Sequence, residues 1–95
     1  MDKQPVTKAL LAKHGFTQDE SAPTGIDRWH KKEKGYQSYY AWVLFLHEKP
    51  VEIFVRRTTY DTSGALSDTK VFSSKEVTAN TFEQAENTLL IKILK

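Results

Sequence analysis

Apolar positions are densest over residues 36–46, Tyr-Gln-Ser-Tyr-Tyr-Ala-Trp-Val-Leu-Phe-Leu, where both alternating sets are apolar. Strand side chains point to opposite faces in turn, so Tyr40, Trp42, Leu44 and Leu46 share one side and Tyr39, Ala41, Val43 and Phe45 the other. One face can be buried by the chain's own helices. The other needs a different cover. A turn at His47-Glu48-Lys49-Pro50 leads into Val51 to Tyr60, a strand rich in β-branched residues. Pairing Leu46 with Val51, Leu44 with Ile53 and Trp42 with Val55 gathers these apolar side chains on one side, so that register is expected. Its reverse side sets Phe45 beside Glu52, Val43 beside Phe54 and Ala41 beside Arg56. Asp61-Thr62-Ser63-Gly64 has the pattern of a type I turn, after which Leu66 to Ser73 returns antiparallel.

Helical periodicity marks both ends. From Pro5 to His14, Val6, Leu10 and Leu11 form a narrow stripe, and Gly15 is a natural left-handed terminator with Phe16 packing back on the helix end. Residues 17–25 are polar, with Pro23 and Gly25 as breakers, and read as a loop. Ile26 to Lys32 alternate poorly; as a first strand they would put Ile26, Arg28 and His30 on one side and Asp27, Trp29 and Lys31 on the other. At the other end, Thr81-Phe82-Glu83-Gln84 reads as a capping box, followed by Phe82, Ala85, Leu89 and Ile93 at helical spacing, with Leu90 and Leu94 widening the stripe. The expectation is one α+β domain over residues 1–95, order α-(β)-β-β-β-α. It has an antiparallel sheet of three or four strands with both helices on one face, the Trp42/Ile53 face.

Composition narrows the function more than it names one. The chain is 39% hydrophobic and 27% charged, the balance of an ordinary globular protein. It has no Cys, which excludes disulfides, thiolate catalysis and thiolate metal sites, and suits a cytoplasmic location. No apolar stretch follows the initial Met-Asp-Lys-Gln, so no signal peptide is expected. The longest apolar run, Ala41 to Leu46, is far below the ~20 residues that span a bilayer, so no membrane role is expected either. A formal charge of +2 attracts nucleic acid only weakly as a whole, so such a role would rest on a local patch.

The residues suggest no reaction. His14, His30 and His47 are sixteen and seventeen positions apart, not the paired spacing that sets two imidazoles on one face, so no metal or cofactor is expected. Ser63 and Ser73 lack a nucleophile motif and the four glycines are isolated, so a small enzyme ranks third. Arg28-Trp29-His30-Lys31-Lys32-Glu33-Lys34 carries four cations against one acid and runs on to Tyr36. Such a mixture over residues 28–40 can bind single strands through Arg28, Trp29, Lys31, Lys32, Lys34 and Tyr36. A solvated edge whose lysines deter pairing is the plainer reading. Ranked first is the second sheet face: Tyr39, Val43, Phe45, Phe54 and Arg56, with Phe72 as a further candidate. Aromatics and Arg are the types that dominate protein interfaces.

The layout, with its Lys-His-Gly-Phe helix end and its terminal Thr-x-x-Gln helix, resembles small uncharacterised proteins of bacterial phages and mobile elements. The resemblance is architectural and implies no activity. The chain is therefore expected to be a protein-interaction module, a small accessory or inhibitory factor acting on a protein partner or as a homodimer. Nucleic-acid binding is the alternative.

Overall fold

The computed structural model describes residues 5–35 and 37–94. Helix α1 (Lys8–Lys13) is followed by five strands, β1 (Thr17–Asp19), β2 (Ile26–Glu33), β3 (Gln37–Leu46), β4 (Lys49–Tyr60) and β5 (Leu66–Ser74), and then by helix α2 (Ala79–Leu89). The strands form one antiparallel sheet in the order β1-β2-β3-β4-β5. Both helices lie on one side of it. The extents of 44 × 34 × 21 Å describe a slab, and the shortest is the depth of one helix layer on one sheet.

The expected α+β class and the helix layer on one face are as observed; the sheet has one strand more. The addition is β1, which pairs Thr17 with His30, Gln18 with Trp29 and Asp19 with Arg28. As a short polar edge it needs no apolar pattern, which is why composition made it a loop.

Local chemistry fixes the helix ends. Thr7 caps α1 by accepting from the Leu10 amide. At the other end the Phe16 amide donates to Leu11 O at 2.9 Å and the Gly15 amide to Ala12 O at 3.2 Å. This Schellman closure requires the left-handed φ of +90° at Gly15. It delivers Phe16 edge-on to Phe82, with ring centres 6.0 Å apart. For α2 the capping box is Thr78 with Thr81, not Thr81 with Gln84, so the helix starts earlier than expected. It also ends earlier: Leu90 is left-handed, and Ile93 reaches the core from an extended tail instead. Glu86 anchors that tail by accepting from the Ile93 and Leu94 amides at 2.7 and 2.8 Å.

The core is made by Leu11, Phe16, Phe82, Ala85, Leu89 and Ile93 over Tyr39, Ala41, Val43, Phe45, Ile53 and Val55. This corrects the expected face. His47 and Glu48 form a two-residue hairpin loop, both with positive φ, which sets Leu46 opposite Lys49. An irregularity between Leu44 and Phe45 then shifts the pairing, so Val43 faces Ile53 and Trp42 faces Phe54. A one-residue change of register exchanges faces. The Tyr39/Ala41/Val43/Phe45 set joins Ile53 and Val55 beneath the helices, and the Tyr40/Trp42/Leu44/Leu46 set looks outward.

Candidate functional site: the uncovered sheet face

Among the described residues, nothing lies over the outward face. Its central row runs across the strands from Thr17 through His30, Trp42 and Phe54 to Ser73. Trp42 and Phe54 are stacked, with ring centres 5.1 Å apart and planes 21° from parallel. Nearly parallel rings this close must face each other, because coplanar neighbours would overlap. They sit opposite each other on adjacent strands, and each uses one face on the other. His30 tilts against Tyr40 at 6.0 Å.

The two ends of the face differ in chemistry. Toward the β3–β4 turn it is apolar, with Ile26, Leu44 and Leu46; Ile26 is 42% and Leu46 45% exposed. Toward the opposite end it is basic and hydroxylic. There an open cleft of about 780 Å³ is lined by Lys32, Lys34, Arg56, Tyr40, Tyr60 and Thr58, together with His30 and the carboxylates of Asp19 and Glu33.

The cations of the face are not equivalent. Arg28 donates through Nε to Asp19 Oδ2 at 2.8 Å and makes a second contact through Nη2. Ser21 donates to the same carboxylate; that hydrogen bond, with the Arg28 guanidinium, holds the Asp19 carboxyl well below the usual carboxylate range. Arg28 is thus already partnered. Lys32, Lys34 and Arg56 make no ion pair among the described residues, and all three are exposed.

The expected partner-binding set is divided. Phe54 and Arg56 lie on the uncovered face. Tyr39, Val43 and Phe45 are 6%, 0% and 2% exposed beneath the helices, and Phe72 pairs with Val55 on that same side. Burial raises the Tyr39 phenol well above its ordinary value, helped by the Glu33 carboxylate that accepts its hydroxyl at 2.9 Å.

The basic stretch is divided by strand alternation too. Arg28 and Lys32 face outward, and Lys34 lines the cleft beyond the end of β2. Trp29 turns inward against the core, and Lys31 donates to Ile93 O at 2.7 Å, holding the C-terminal tail. Those two are structural. Tyr36 lies outside the described residues. Sequence reasoning missed Tyr40, Trp42 and His30 as site residues. The deciding feature is the bulge opposite Leu44/Phe45, which shifts the register by one residue. The two-residue loop at His47-Glu48 alone would set Trp42 opposite Ile53 and keep the expected face, so no local signal named these residues.

The three histidines stay apart: His14 caps α1, His30 is on the face and His47 is in the turn. Among the described residues no group of three His, Asp or Glu comes together, and no helix is long and apolar enough to cross a membrane. Comparison with known proteins gives no match to a family model, a curated protein or a solved structure. Function must be argued from the face itself.

Proposed function

We propose that this chain is a protein-interaction domain that docks a partner protein on the uncovered sheet face centred on Trp42 and Phe54. The observation that carries this reading is the stacked Trp42–Phe54 pair standing half-exposed in the middle of a face that the chain's own helices leave open. Large aromatics beside Arg, ringed by smaller polar groups, are the composition of interface hot spots.

Nucleic-acid binding is the second reading, favoured by Arg56, Lys32 and Lys34. The ring geometry weighs against it. Single-strand platforms offer flat aromatic faces on which bases stack, whereas Trp42 and Phe54 use a face of each ring on the other. The cations also cluster at one end and do not track along the face.

The test is selection of binders from a random displayed-peptide library against the wild-type protein, with rescreening against Trp42→Glu and Phe54→Glu. Binders that are lost with both variants and kept with Lys13→Glu, a substitution on exposed α1 surface, are the expected result. Binders indifferent to Trp42 and Phe54, or none, would contradict the reading.

A further inference from the structure

We infer that the partner segment is acidic, its carboxylates seated in the cleft of Lys32, Lys34 and Arg56 while its apolar side chains lie on Trp42, Phe54 and Leu44. This rests on the docking reading above and adds the chemistry of the occupant.

Three observations support it. In the cleft three exposed cations, Lys32, Lys34 and Arg56, stand together without ion pairs among the described residues, whereas Arg28 is matched by Asp19 and Glu52 by Lys75 at 3.1 Å. Its walls carry two lysines, one guanidinium and the hydroxyls of Tyr40, Tyr60, Ser38 and Thr58, and its two carboxylates are already engaged, Asp19 by Arg28 and Ser21 and Glu33 by the Tyr39 hydroxyl. An arginine fork and hydroxyl donors suit a carboxylate. Finally, the apolar row adjoins the cleft, because Tyr40 pairs with Arg56 one step from the Trp42–Phe54 pair along β3. An extended segment can therefore place same-side residues, two apart in its sequence, on the two chemistries in succession.

A second copy of this chain fits poorly. Two-fold face-to-face packing brings the basic end either against its own like or against the apolar Ile26/Leu46 end. Either arrangement buries cations without partners, because the acids of the face, Asp19 in the cleft and Glu52 toward the apolar end, are already engaged.

The test measures binding at low salt of a labelled peptide Leu-Ser-Leu-Ser-Glu-Ser-Glu, whose Leu and Glu side chains share one side when extended, of its Gln-for-Glu counterpart, and of oligothymidylate. The acidic peptide should bind at least about tenfold tighter than the neutral one. That preference should vanish in Lys32→Glu/Arg56→Glu, weaken in Arg56→Gln and persist in Lys13→Glu. All these side chains are exposed, so melting curves of the variants should match wild type. Equal affinity for the two peptides, or a preference that survives the double reversal, would overturn the inference. Tighter binding of oligothymidylate than of the acidic peptide would overturn it in favour of a nucleic-acid surface. If library binders depend on Trp42 but carry no acidic residues, docking stands and only this inference fails; if no peptide depends on Trp42, docking itself fails.

Discussion

Leu90 shows how one residue records a conflict between side chain and backbone. It closes α2 with φ +56° and ψ +44°, the left-handed region, and its side chain is 74% exposed. A β-carbon in that conformation costs about 1–2 kcal/mol, and little packing offsets it. Glycine removes the cost but loosens the unfolded chain, so Leu90→Gly should stabilise the fold by about 0.5–1 kcal/mol net. Denaturant unfolding with an unchanged slope would read the gain as a higher midpoint; a loss would mean that the Leu90 side chain has a packing role. Arg57 is the contrasting case. It is a buried cation at 6% exposure that donates to Leu89 O at 2.6 Å and to Asp68 at 3.1 Å. It satisfies the carbonyl end of α2, where the helix dipole favours positive charge.

At the level of elements, α2 supplies Phe82, Ala85 and Leu89 to the core, and Leu89 is fully buried in it. Leu89→Ala should cost roughly 2–5 kcal/mol. A whole domain is stabilised by only about 5–15 kcal/mol, so the melting curve should move far; one that matched wild type would remove α2 from the core. The helices were legible in the sequence because Gly15, Phe82, Ala85 and Leu89 obey local rules. β1 was not, since a polar edge leaves no apolar trace. The face of β3 was not legible either, for a different reason. Both of its alternating sets are apolar, so hydrophobicity could not choose between them, and the choice fell to the register with β4. Register depends on His47 and Glu48 adopting left-handed conformations, which neither residue type advertises, and on a bulge near Val51. The site moved with it: Phe54 and Arg56 were found from sequence, while Tyr40 and Trp42 were assigned to the core.

For the whole molecule, acid sensitivity follows from carboxylates that hold turns. Asp61 accepts from Ser63 Oγ at 2.6 Å and from the Ala65 amide at 3.0 Å, and these bonds lower its pKa, as the Ser21 and Arg28 bonds lower that of Asp19. A folded-state value below the unfolded one adds stability above the unfolded pKa of about 4, and that stability is lost as pH falls through the folded value. Thermal melts should therefore fall progressively below about pH 4, and Asp61→Asn should flatten part of that decline. A decline of the same steepness in Asp61→Asn would mean that the turn carboxylate is not linked to folding.

The fold also supplies its own internal control for the docking claim, because its two tryptophans lie on opposite sides of the sheet. Trp42 stacks on Phe54 on the uncovered face, whereas Trp29 packs against the core beneath the helices. The most direct measurement is a fluorine spectrum of the protein labelled with 5-fluorotryptophan, recorded while a peptide selected from the library is added. Docking on the uncovered face predicts that the Trp42 signal shifts in proportion to occupancy while the Trp29 signal stays in place. A binder that moves Trp29 and leaves Trp42 unchanged would put the interaction on the helical side and contradict the account.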